Sequence, residues 1–189
     1  AQLARLPAAY WKVVAFGAVF TLARFSEAFL VLRAQQAGLA LAWTPLVLIA
    51  MNVVYAAFAY PFGQLADRLP PARLLAWGLL LLIGADLLLA LTAAWWSVAL
   101  GVLLWGLHMA MTQGLLSALV ATHAPADLRG TAFGVFNLAS GLALLLASTL
   151  AGALWHWHGP AATFGAGAAV AAVALAGLML RRSGSMPPP

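Results

Sequence analysis

Polar residues are so sparse along this chain that they act as punctuation between apolar runs. Six such runs follow one another, at about Trp11–Leu32, Thr44–Phe62, Ala72–Ala93, Trp95–Ala121, Gly130–Trp155 and Pro160–Leu180. Each approaches the roughly 20 apolar residues that cross a bilayer core as a helix. Strands are ruled out by the same pattern. A barrel strand is half this length and alternates apolar with polar positions, and an isolated strand leaves its backbone groups unsatisfied in lipid. The pattern therefore predicts an all-α integral membrane protein with six transmembrane helices in one unit, residues 1–182. The tail 183–189, ending Pro187-Pro188-Pro189, reads as a disordered terminus.

Composition agrees. Of 189 residues, 65% are hydrophobic and 7% charged, and the mean hydropathy is +1.00, whereas charged residues are about a quarter of a soluble domain. The net charge of +5 rests on nine basic and four acidic residues. On a membrane protein such a balance reflects loop charge at the bilayer surface, and no nucleic-acid partner is expected. There is no cysteine, so thiol chemistry and disulfides are excluded. The first apolar run is too long, and lacks the small-residue cleavage site, for a cleavable signal. The chain opens Ala1-Gln2-Leu3 without Met and is expected to be a trimmed chain or part of a longer one.

The loops give an orientation. Arg5, Lys12, Arg68, Arg73, Arg129, Arg181 and Arg182 fall on one side, while the other holds Arg33 with Gln35, Gln36, His156 and His158. Basic residues favour the cytoplasm, so both termini are expected there. Trp11, Trp43, Trp95, Trp96, Trp155 and Trp157 lie near predicted helix ends, where aromatic belts form.

One loop carries more than topology. Gly63-Gln64-Leu65-Ala66-Asp67-Arg68, followed by Arg73, resembles the signature loop of the major facilitator superfamily, Gly-x-Leu-Ala-Asp-Arg-x-Gly-Arg-Lys/Arg. That loop joins the second and third helices of a six-helix half. Pro70, Pro71 and Ala72 depart from the pattern and leave Arg73 as its last basic residue, a weakened form usual in C-terminal halves. Ala124-Pro125-Ala126-Asp127-Leu128-Arg129-Gly130 is similar to the start of the eleventh helix in many members. The resemblance implies a C-terminal half bundle, helices seven to twelve, made of two three-helix inverted repeats. It also implies a secondary active transporter working by alternating access, in which the first and fourth helices of the half line the cavity and the third is peripheral. Gly63, Asp67, Arg68, Arg73 and Arg129 would then form a conformational latch. Asp67 would accept backbone hydrogen bonds at a helix N-terminus or pair with Arg129, while Arg68 and Arg73 serve equally as topological anchors.

Charges inside apolar runs are costly and mark candidate functional residues. Arg24 and Glu27 are three residues apart, share a helical face and can pair. At 1.5 Å per residue they lie ~20 Å and ~24 Å along the first helix. Glu27 is the leading candidate for proton coupling, the alternative being a permanent ion pair with Arg24. Arg33 is expected to snorkel to the outer interface. His108, with Thr112 and Gln113, is a candidate for proton or substrate handling, or a hydrogen-bonding partner between helices. Asn52, Tyr55, Gln113, Asn137 and Ser140 are candidate cavity walls. Asp86, on the third helix, must turn inward, find a partner such as Arg24, or be protonated. Gly130 with Gly134, and the run Gly165-Ala166-Gly167, predict close helix packing.

No phosphate loop, nucleotide motif or metal-ligand cluster is present; His156-Trp157-His158 offers two histidines without a third ligand. No enzyme, cofactor or metal is expected. The leading reading is proton-coupled transport of a small organic solute, with efflux of a drug or metabolite favoured, in partnership with protons, the lipid bilayer and either an N-terminal six-helix half or a second copy of the chain. The alternatives are a self-paired half-size transporter and a membrane scaffold without transport. Ala-, Leu- and Arg-rich, Lys-poor usage points to a bacterial inner membrane.

Overall fold

A computed structural model describes residues 2–183. The helices are α1 (Ala8–Leu22), α2 (Ala28–Gln36), α3 (Pro45–Ala66), α4 (Pro71–Leu91), α5 (Trp95–His123) and α6 (Arg129–Ser183), with short 3-10 turns at Gln2–Arg5, Leu41–Trp43 and Ala126–Leu128. The described residues contain no strand. Among the described residues, four stretches are long and apolar enough to cross a membrane: Leu41–Ala66, Pro71–Leu91, Trp95–His123 and Ala126–Leu180. Of the expected disordered tail 183–189, Ser183 closes α6, while residues 184–189 and the side chains of Arg181, Arg182 and Ser183 lie outside what is described.

Proline and glycine set several boundaries. Pro45 and Pro71 each open a helix, where the missing N–H is an orphan anyway and the fixed φ suits the first turn. The fifth and sixth apolar runs are joined in α6, which at 1.5 Å per residue would be roughly 80 Å long if straight. It is not straight. Gly159 has φ 80° and ψ −178°, a left-handed position natural only to glycine, and Pro160 restarts the helix beyond it. Phe136 packs on Gly17 of α1, while Gly177 and Leu178 lie beside Lys12 and Phe16 of the same helix. Residues from both arms of α6 thus meet the middle of α1, so α6 is a hairpin.

The first apolar run differs from expectation. Its helix breaks: Arg24, Phe25 and Ser26 carry no helical assignment, between turns at Ala23 and Glu27. Neither proline nor glycine lies there. Ser26 supplies part of the reason, since its Oγ accepts a hydrogen bond from the Ala28 N–H at 3.3 Å, a local bond that competes with the helix ladder. Arg24 and Glu27 consequently do not share a helical face.

Helix α4 packs against α5 and α6, α3 against α5, and α1 against α6. Lipid is as apolar as leucine, so association inside a bilayer depends on close packing and on interhelical hydrogen bonds. Both are visible. A Cβ on Gly106 of α5 would lie 2.6 Å from the Met51 carbonyl oxygen of α3, and one on Gly101 would lie 2.7 Å from Leu89 of α4. Tyr10, fully buried, donates its hydroxyl to the Ala132 carbonyl at 2.8 Å. The predicted Gly130/Gly134 step does not serve this purpose: nothing lies within 4 Å of a Cβ built at either, or at Gly165, whereas Gly167 is tightly opposed.

Arg33 also departs from expectation. It is buried, with its Nε–H donating to the Leu89 carbonyl at 2.8 Å and an Nη–H to Gln36 Oε1 at 3.1 Å. Ser97 Oγ–H donates to the neighbouring Leu88 carbonyl at 2.7 Å. The last carbonyls of a helix have no partner of their own. Arg33 and Ser97 satisfy two of those of α4, at Leu89 and Leu88, and the guanidinium sits at the negative end of its dipole. It does not snorkel.

Trp11, Trp43, Trp95, Trp96 and Trp157 are exposed, as a belt requires. Trp155 instead packs on Phe29 and Phe164, with ring centroids 5.6 and 6.1 Å apart.

Candidate functional site

In a single bundle, a wall of a central cavity is an open face. That divides the candidate residues into two groups. Asn52 and Asn137 are exposed and Tyr55 and Gln113 partly exposed; Asn52 satisfies its own amide on the Leu48 carbonyl. Tyr55 also lines a cleft of about 230 Å³ between α3 and α5, which has Gly63 and Asp67 along one side. These residues lie on faces where a solute or a second bundle can meet them.

His108 and Asp86 belong to the second group, with 0% exposure each. His108 Nδ1 lies 2.7 Å from the Gly78 carbonyl of α4. A carbonyl only accepts, so Nδ1 carries the proton and Nε2 presents its lone pair. The ring stacks on Phe20 of α1 at 5.6 Å with 10° between planes, and Nε2 is buried without a partner. Thr112, one turn on, packs against Gly78 and returns its hydroxyl to the His108 carbonyl. This face of α5 looks into the bundle at α4 and is no open wall.

The break in the first run ties these regions together. Phe25 leaves the helix axis and enters an aromatic cluster, 5.5 Å from Trp105, 5.4 Å from Phe164 and 5.2 Å from Phe29 between centroids. The Ser26 N–H, freed from the helix ladder, donates to Ser148 Oγ of α6 at 3.1 Å. Non-helical backbone at membrane depth is tolerated where protein re-satisfies it, and Ser148 does that here. Arg24 and Glu27, flanking Phe25, are partly buried. No ion pair within 4 Å joins them; among the described residues the ion pair is Arg5–Asp127, exposed, at 2.7 Å. Replacing Ser148 by Ala is expected to lower thermal stability by about 1 kcal/mol and to speed amide exchange at Ser26, read by hydrogen–deuterium mass spectrometry; unchanged exchange there would remove Ser148 from the support of the break.

At the basic end, Asp67, Arg68, Arg73 and Arg129 are all exposed, and no ion pair between them forms in this structure. Asp127, two residues before the start of α6, holds Arg5 instead.

Sequence reasoning singled out Arg24, Glu27, His108 and Asp86 by their charge. It missed Phe25, Trp105 and Ser148, which shape their surroundings. Ser148-Thr149, a polar pair inside an apolar run, was the visible signal for the last.

These features define a polytopic helical membrane protein with an interrupted first apolar run and buried ionisable groups. The family profile described as Major Facilitator Superfamily matches residues 13–189. An uncharacterized MFS-type transporter of Methanocaldococcus jannaschii is 33% identical over 181 residues, covering 93% of this chain and 45% of that protein. The crystal structure of the POT family transporter PepTSo superimposes with a TM-score of 0.72 at 19% identity, covering 97% of this chain and 39% of the other. The chain belongs to the major facilitator superfamily, and spans less than half the length of either relative. Its family is one of transporters rather than enzymes.

Proposed function

We propose that this chain forms one six-helix bundle of a secondary active transporter that moves a small organic solute by alternating access, with a proton as the coupling ion. The observation that carries the reading is the interrupted first run, which places Arg24 and Glu27 beside non-helical backbone without locking them in an ion pair. Transporter sites are typically built on such discontinuous helices, and an unpaired carboxyl there is free to exchange a proton. In this reading α1 with α2 makes the first span and the two arms of α6 the last two. The basic end, with Lys12, Arg68, Arg73 and Arg129, faces the cytoplasm of a bacterium. The second bundle is an N-terminal half or a second copy of this chain. Asp67 takes its latch partner from that second bundle, which accounts for its exposure here, and Tyr55, Gln113, Asn52 and Asn137 meet solute or partner. The open aromatic and apolar surfaces suit an amphipathic solute, and efflux is the favoured direction.

Two measurements test this. The mass of the purified chain in detergent separates the partner types: two copies mean self-pairing, one copy a partner bundle on another segment. In vesicles holding the paired assembly, an imposed pH gradient should drive flux of ethidium, an amphipathic dye, and Glu27→Gln should reduce that flux to the level of empty vesicles. Gradient-driven flux that survives Glu27→Gln removes this residue from coupling. No flux from any assembly of the chain supports a membrane scaffold instead.

A further inference from the structure

Asp86 is the group whose setting is hardest to reconcile with a merely structural role. It is fully buried on α4, and neither carboxyl oxygen has a hydrogen-bond partner. Its surroundings are close. A Cβ placed on Gly167 of α6 would lie 2.7 Å from Asp86 Oδ2 and 2.8 Å from Phe25 Cε1. The carboxyl therefore abuts the last arm of α6 at Gly167, and the aromatic ring that the broken helix sends into the bundle packs against the same glycine.

The elements packed there leave it without an ion pair. The break contributes Arg24 and Glu27, neither within ion-pair distance of Asp86. Helix α5 contributes His108, whose Nδ1–H is held by Gly78, two turns along α4 from Asp86, and Trp105, whose Nε1 is likewise buried and unpartnered. Helix α2 contributes Arg33, committed to Leu89 and Gln36. The facing stretch of α6, from Pro160 to Leu180, contains no ionisable residue.

An ionised carboxylate buried without a hydrogen-bond donor from the protein is the arrangement a membrane interior tolerates least. The neutral acid fits the same space. We propose that Asp86 is a second proton-binding site, placed inside the bundle away from the open faces and closed by Phe25, so that its proton is held while the break is in its present position and passes to water when Phe25 withdraws. The site binds a proton and nothing larger, because Gly167 and Phe25 leave no room for a hydrated cation. Release is a simple transfer: the O–H bond of the carboxyl breaks, its electron pair stays on the carboxylate, and an entering water takes the proton. The link between that proton and the transport cycle rests on the transporter reading above; the presence of the proton does not.

The test reads the proton directly in the purified full chain. Infrared spectroscopy should show the C=O stretch of a protonated carboxyl at neutral and mildly alkaline pH. Labelling aspartate with ¹³C should move it, and Asp67→Asn, Asp127→Asn and Glu27→Gln should leave it in place. Asp86→Asn should abolish it. If that variant does not fold, the label together with the Asp67 and Asp127 variants still assigns the band. Phe25→Ala should bring the pH at which the band disappears down by roughly one unit and accelerate its exchange with deuterium. Absence of the band, or a band indifferent to the aspartate label, overturns the site. A band unchanged in pH and exchange by Phe25→Ala overturns the closure. Flux measurements play no part in either outcome, so failure of the transporter reading is distinguishable from failure of this one.

Discussion

Gly106→Leu is expected to prevent assembly of the bundle, with protein that elutes as aggregate or is lost from detergent extracts. The reason lies in what opposes this glycine. A Cβ there would meet the Met51 carbonyl oxygen at 2.6 Å and Val54 Cβ at 3.1 Å. The first of these is backbone, which cannot turn aside as the end of a flexible side chain can. Even Ala forces α3 and α5 apart by several tenths of an ångström, and overpacking of that kind costs about 1–3 kcal/mol. The larger side chain removes the contact altogether. Helix α3 has little else to hold it: only 17% of its apolar window is buried, against 61% for α5. The control is Gly114 on the same helix, where a Cβ would meet nothing within 4 Å. Gly114→Ala should be neutral or slightly stabilising through helix propensity. Thermal unfolding of detergent-solubilised protein, followed by tryptophan fluorescence and size exclusion, measures all three variants. Equal stability of Gly106→Ala and Gly114→Ala would show that the α3–α5 contact is not close.

Arg33→Met should destabilise the fold by about 1–3 kcal/mol, the cost of leaving a buried carbonyl without its donor. Met keeps most of the side-chain volume and removes the guanidinium. The loss therefore reports on the bond to Leu89 and on the charge at the α4 C-terminus rather than on a cavity. Arg33→Lys keeps the charge near the helix end but loses the fork that reaches Leu89 and Gln36 together, so its stability should fall between the two. A snorkelling arginine at the interface would behave otherwise, since Met there is at least as compatible with lipid. If Arg33→Met is as stable as the parent chain, the residue serves topology and not the end of α4.

What the chain disclosed by itself was set by which residues punctuate it. Pro71 and Pro160 marked the starts of helical runs because the backbone preference of proline is local. The signature loop around Asp67 was legible for the same reason, as a run of specific residues at a predictable end. The break at Arg24–Ser26 left no such mark. It depends on an aromatic pocket made by Trp105 and Phe164, far away in sequence, and on a hydroxyl from Ser148. Arg33 misled because distance along a helix gives depth but not what faces the side chain. Gly130 and Gly134 misled in a related way: spacing reveals a smooth stripe, whereas only the fold shows whether another helix lies against it. His108 and Asp86 were recognised as costly groups by type alone. That both turn into the bundle, away from any open wall, follows from the packing of α4 on α5 and α6.

The corner at Gly159 also bears on how the protein is made. A turn of one left-handed residue leaves the two arms of α6 no tether, so neither can settle in the bilayer well ahead of the other. They enter the bilayer as a hairpin, and both arms pack on α1, through Phe136 on one and Leu178 on the other. Lengthening that corner by a few flexible residues would let the arms enter separately, and would turn a single biogenetic step into two.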